Sequence, residues 1–220
     1  MQEAPGDRPL SADARQNRDR ILAAARDVFV EQGAGAPLEE ISRRAGTGIA
    51  TLYRRFPDRL ALMRAVVLDS LARTEEEARL AAEEEPDAFG ALTRYMHRAL
   101  DIRVAAVIPA LLVEFPLSDA ELRAASDAGA RLIQGLIDTA KREGTLRPDV
   151  TFGDIGTLIV RLSRPLPGAF SRELNDQLGH RHLDLLINGL RATPDSDATV
   201  AGPAMTLEDL REYRVQSPKR

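Results

Sequence analysis

Along nearly the whole chain, apolar side chains recur three and four positions apart, and no stretch alternates convincingly at period two. That period belongs to helices that bury one face, so the sequence predicts an all-α protein of about nine helices. A first helix over 15–32 gathers Ile21, Leu22, Ala25, Val28 and Phe29 on one side and ends at Gly33. A short helix over 37–45 turns Leu38, Ile41 and Ala45 inward, and Gly46-Thr47-Gly48 makes a tight turn. The next helix, 48–55, places Ile49, Leu52, Tyr53 and Phe56 on one face, and Pro57 stops it. Asp58 is placed to N-cap a long helix carrying Leu60, Met63, Val66, Val67 and Leu71. Further helices are expected from Pro86 to about 104, over about 105–115, from a Ser118/Glu121 capping box to Arg142, from a Thr151/Asp154 cap to Pro165, and over 173–191.

Composition narrows the chemistry. Of 220 residues 44% are hydrophobic and only 4% aromatic, which suits a helical core and excludes a disordered chain. The absence of cysteine excludes disulfides, thiol catalysis and thiolate metal sites. Three histidines leave little for a metal site, and no metal or cofactor is expected. No apolar run of about 18 residues is present, so no membrane contact is expected. Residues 1–14 lack an apolar secretory core, so a cytoplasmic protein is expected.

The net charge of −4 conceals a local excess. Between Arg43 and Arg59 stand five arginines (Arg43, Arg44, Arg54, Arg55, Arg59) and one acid, Asp58. A short basic patch on an acidic body is the footprint of a local nucleic-acid contact.

Two short helices joined by a glycine turn and preceded by a third make a helix-turn-helix. At 100° per residue Ala50, Thr51 and Arg54 point outward, with Arg55 on the flank. Small residues let the backbone approach a groove, and the long donors reach phosphate or guanine.

The run Ala45-Gly46-Thr47-Gly48-Ile49-Ala50-Thr51-Leu52-Tyr53-Arg54-Arg55-Phe56-Pro57 resembles the signature of TetR-family repressors. Leu38 to Arg44, and Ile21 to Ala25 with Phe29, are similar to the family's first two helices. Gly144-Thr145-Leu146-Arg147-Pro148-Asp149 resembles the family's link between later helices. The resemblance implies a homodimer whose first three helices bind double-stranded operator DNA, joined by a linker helix to a ligand-binding and dimerisation body. It implies that Thr51 and Tyr53 touch phosphates or bases, that Arg59 grips a phosphate from the linker helix, and that Leu52 and Phe56 are core. Three departures stand out. Thr47 replaces a favoured valine, Ile49 replaces a frequent lysine, and Pro37 replaces the threonine that caps the second helix. The residues expected at DNA are Arg43, Arg44, Gly48, Ala50, Thr51, Tyr53, Arg54, Arg55 and Arg59.

The organisation expected is an N-terminal arm over 1–14, a DNA-binding domain over 15–57, a body over 58–192 and a mobile tail over 193–220. No catalytic constellation is found in the body. His180 and His182 are two apart, and the runs Glu75–Glu77 and Glu83–Glu85 spread around their helices. The last helix carries two apolar stripes, Leu183/Leu186/Ile187/Leu190 and Leu174/Leu178/His182/Leu185/Gly189. A surface helix needs only one. The second, with the helix over 151–164, predicts a four-helix homodimer interface of Ile155, Leu158, Ile159, Leu162, Leu178, His182, Leu185 and Leu186, with Gly153 and Gly156 allowing close approach. On the helix over 86–104, Arg103 interrupts an apolar stripe. The expected effector pocket is Tyr95, Met96, Leu100, Arg103, Leu111, Phe115, Ile133 and Leu136, for a small apolar effector in which Arg103 favours an acidic or carbonyl group. The function expected is a ligand-responsive transcriptional repressor. The alternatives are a helical partner-binding or structural protein without operator binding and, needing a polar cluster that the sequence does not display, a helical enzyme.

Overall fold

A computed structural model describes residues 12–103, 108, 114, 115, 119–166, 168–193 and 200–210. Eight helices form among them: α1 Ala12–Gln32, α2 Leu38–Arg44, α3 Ile49–Arg55, α4 Arg59–Glu84, α5 Ala88–Ile102, α6 Ala120–Arg142, α7 Phe152–Leu162 and α8 Arg172–Leu190. Extended backbone pairs among the described residues at a single bridge, Leu146 to Arg191. The all-α expectation therefore holds. Most of the short helix expected over 105–115 lies outside the described residues. No described helix is long and apolar enough to cross a membrane.

The chain divides into two units, Met1–Val66 and Val67–Arg220. In the first, Gly33 takes a left-handed φ of 81° and its N–H donates to the Phe29 carbonyl at 3.0 Å, which closes α1. Ile21, Leu22, Phe29, Ile41 and Leu52 are buried, each worth about 1.5–3 kcal/mol of transfer free energy. Asp58 caps α4 as expected, its Oδ1 accepting from the Ala61 N–H at 2.7 Å. The division falls inside α4, between Val66 and Val67, both fully buried. Leu60, expected inward, is exposed, and Leu62 takes the inward place.

In the second unit Asp87 caps α5 by accepting from the Gly90 N–H at 2.7 Å. Asp119 caps α6, its Oδ1 3.0 Å from the Leu122 nitrogen, in place of the expected Ser118. The Thr151/Asp154 capping box at α7 forms as expected, and Ser171 caps α8. Leu92, Met96, Ile137, Leu146, Ile155 and Leu183 form the centre of the core. Residues 200–210, expected within a mobile tail, are held against α7: the Gly153 N–H donates to the Met205 carbonyl at 2.9 Å.

Candidate nucleic-acid interface and effector cavity

The turn between α2 and α3 is fixed by backbone chemistry. Gly46 takes a φ of 64°, a region that glycine enters without the steric cost other residues meet. The Thr47 N–H donates to the Ser42 carbonyl at 3.0 Å, and the Ser42 hydroxyl to the Glu39 carbonyl at 2.9 Å. Pro37 stands at the N-cap of α2 with no side-chain cap, as its missing hydroxyl requires. Leu52 and Phe56 are buried, which seats α3 and turns its other face out. Gly48, Ala50 and Arg54 are exposed, and Thr51 and Arg55 half-buried. Tyr53 is 46% exposed, which corrects its inward place on the helical wheel. The reason is the short helix: within α3 only Leu52 is buried, so a side chain 100° away already leaves the seam. Among the described residues neither Arg54 nor Arg55 meets a carboxylate.

The other three arginines are engaged. Glu40 accepts from Arg43 at 2.9 and 2.7 Å and from Arg44 at 2.7 Å. Arg44 also pairs with Glu31 at 2.6 Å. Bonding to Arg43 and then Arg44 lowers the Glu40 carboxyl to about 2. Both acids lie outside the 43–59 stretch, so the basic excess is smaller in the fold than along the chain. Arg59 donates from Nη1 to the carbonyls of Ala34 at 2.9 Å and Ala36 at 2.6 Å, tying α4 to the turn before α2.

A cavity of about 180 Å³ lies within the second unit. Leu71 and Thr74 of α4, Tyr95 and Ala99 of α5, Ser126, Gly129, Ala130 and Ile133 of α6, and Phe152, Gly156, Ile159 and Val160 of α7 line it, with Ile108 and Leu207. None of these is charged. Burial pushes the Tyr95 phenol up, so it stays protonated, and among the described residues its hydroxyl has no partner. Of the residues expected at the effector pocket, Tyr95 and Ile133 line the cavity. Met96, Leu100, Phe115 and Leu136 are buried elsewhere, and Leu111 lies outside the described residues. Arg103 requires correction: it ends α5 in the left-handed region and donates to Asp176 of α8 at 2.8 Å. Arg103 is buried, as the stripe expects, but it is spent on Asp176 and does not line the cavity.

Among the expected interface residues, Leu185 is 61% exposed, Leu186 and His182 are exposed, and Leu158, Leu162 and Leu178 half-buried. Ile155 and Ile159 are a correction: they are buried in the subunit's own core. Gly153 and Gly156 likewise serve the subunit itself, the first beneath Met205 and the second on the cavity wall.

One cluster escaped the sequence reading. His97 Nδ1 lies 2.8 Å from His180 Nδ1, while His97 Nε2 is 3.1 Å from Asp184 and His180 Nε2 is 3.0 Å from Asp101. The ring planes differ by 13° with centroids 5.1 Å apart, so the rings meet edge to edge through their Nδ1 atoms. Histidines 83 residues apart offer no local spacing by which to find them.

Comparison with known proteins agrees with this anatomy. Residues 21–66 match the profile of bacterial regulatory proteins of the tetR family, and residues 87–192 that of the SbtR-like transcriptional regulator C-terminal domain. The transcriptional repressor BepR of Brucella suis is 27% identical over 212 residues, 90% of this chain and 98% of that protein. The regulator TtgW of Pseudomonas putida is 39% identical over 61 residues, and there the chain spans only about half of the relative's length (46%). The crystal structure of the TetR regulator SCO0520 from Streptomyces coelicolor is 31% identical, with a TM-score of 0.56, over 80% of this chain and 99% of that one. With a solved relative at that identity matched over nearly its full length, and both halves of the chain matched to profiles, the chain belongs to the TetR family of helix-turn-helix transcriptional regulators, a family of DNA-binding proteins and not of enzymes.

Proposed function

We propose that this regulator is a dimeric repressor that leaves a palindromic operator when a small, uncharged, apolar molecule enters the cavity of its second unit. The observation that carries the DNA half is the outward face of α3, where exposed Ala50 and Tyr53 flank two arginines without acidic partners among the described residues. Arginine paired to guanine through O6 and N7 favours G·C-containing half-sites. The effector class follows from a cavity wall whose described residues carry no charge and from a neutral Tyr95 phenol free to donate to a carbonyl or ether. Dimerisation through the stripe of α8, with Leu174 and Leu185 exposed and Leu178 half-buried, gives two recognition helices and hence a palindrome. Effector binding against Leu71 and Thr74 bears on α4, the helix that runs from one unit into the other.

Selection from random duplex DNA tests this reading. The expected product is a palindrome with half-sites about 34–36 Å apart. Arg54→Ala and Arg55→Ala each cost about 1–3 kcal/mol if the residue reads a base, and relax the preference at that base pair. No enriched palindrome, with both variants silent, would refute it.

A further inference from the structure

We propose that residues 200–210 form a strap over the effector cavity and that Leu207 sets the largest ligand the cavity admits. The inference rests on the reading of that cavity as the effector site. The strap is anchored at two points. The Val200 N–H donates to Asp149 Oδ2 at 3.2 Å, a carboxylate already held by Arg147 at 2.8 Å. The Met205 carbonyl accepts from the Gly153 N–H at 2.9 Å, and the Thr151 hydroxyl lies 3.0 Å from the same oxygen.

The second anchor has a physical reason. Gly153 is in the first turn of α7, where backbone N–H groups lack helical partners. A carbonyl oxygen satisfies one of them and sits at the positive end of the helix dipole. The close approach needs glycine: a Cβ at position 153 would overlap the Met205 carbonyl oxygen and come within 2.8 Å of Met205 Cβ. Immediately after the anchor, Asp209 Oδ2 accepts from the Thr206 N–H at 2.7 Å and starts a helical turn. That turn presents Leu207 to the cavity wall. The matched C-terminal profile ends at residue 192, before the strap begins.

With the strap docked, the cavity of about 180 Å³ suits a one- or two-ring molecule, since a dry cavity of about 150 Å³ holds benzene. Sites for drug-sized ligands run to about 300–1,000 Å³. A larger molecule therefore displaces Leu207, and by linkage its binding and strap docking oppose each other.

The test compares two neutral probes, indole and the three-ring N-phenyl-1-naphthylamine, on the full chain and its Gly153→Ala and Leu207→Ala variants. Gly153→Ala dislodges the strap without touching the cavity wall, and Leu207→Ala shortens the plug on a docked strap. Both variants are expected to bind the three-ring probe at least about tenfold tighter than the parent, while Gly153→Ala changes indole binding by less than about twofold. Thermolysin cleavage within 200–210 should be faster in Gly153→Ala than in the parent. Equal three-ring affinity in all three proteins, or equal cleavage of parent and Gly153→Ala, overturns the strap while leaving the effector site standing. Failure of both probes to bind any of the proteins, with DNA binding intact, overturns the effector site and the strap with it.

Discussion

Arg103 stands at the left-handed end of α5 with a φ of 56° and donates to the Asp176 carboxylate of α8 at 2.8 Å. Its side chain is 11% exposed, whereas that of Asp176 is 51% exposed. The pair joins two helices and stabilises a guanidinium that would otherwise be buried without a carboxylate. Asp176→Asn is expected to cost about 1–2 kcal/mol in urea unfolding, a buried-pair value reduced because one partner is half in water. Arg103→Gly should be milder than Arg103→Ala by about 1 kcal/mol, since glycine alone relieves the left-handed backbone. The reverse ranking would remove the strain argument.

Glu40 restrains the basic patch. In the unfolded chain its carboxyl titrates near 4.5, and in the fold near 2, chiefly because Arg43 and then Arg44 bond to it. A depressed carboxyl stabilises the fold above the unfolded value and loses that contribution as the pH falls from 4.5 towards 2. Glu40→Gln should therefore weaken the fold at neutral pH and flatten its acid sensitivity in that window, as read by unfolding at stepped pH. It also frees Arg43, while Arg44 keeps its pair with Glu31. The dependence of log K on log salt for non-specific duplex DNA should steepen by about one unit.

Arg59 has a structural task that its position in the family pattern does not reveal. Removing the guanidinium leaves the carbonyls of Ala34 and Ala36 short of their donor. Arg59→Met should lower the stability of the DNA-binding unit by about 1–3 kcal/mol. If the remaining donors also reach a phosphate, the salt slope flattens by about one unit for every DNA sequence alike. A variant as stable as the parent would show that the two carbonyl bonds are replaced by water without loss.

Two leucines on α8 separate dimerisation from folding. Leu185 is 61% exposed in the single chain, and Leu183 is fully buried. Leu185→Glu is expected to give a folded monomer in sedimentation, with operator affinity lost because each half-site alone is held weakly. Leu183→Glu places an unpaired charge in the core and should cost about 3–5 kcal/mol or abolish folding. A parent chain that sediments as a monomer at micromolar concentration would remove the dimer.

The sequence by itself determined the eight described helices, the caps at Asp58 and Thr151, and the seat of α3 on Leu52 and Phe56. These follow from local rules: a period of 3.6, a cap three residues before the N–H it accepts from, and glycine where φ is positive. The outward face of α3 was legible for the same reason, apart from Tyr53, whose exposure depends on how narrow the seam under α3 is. Tertiary structure alone decided which charges are spent within the fold. Glu31 meets Arg44 and Asp176 meets Arg103 across chain separations that no periodicity encodes. It also decided that Ile155 and Ile159 close the subunit's own core, and that Gly153 receives the Met205 carbonyl. An amphipathic pattern states that a helix face is covered; only packing states whether the cover is the same chain, a second copy or a ligand.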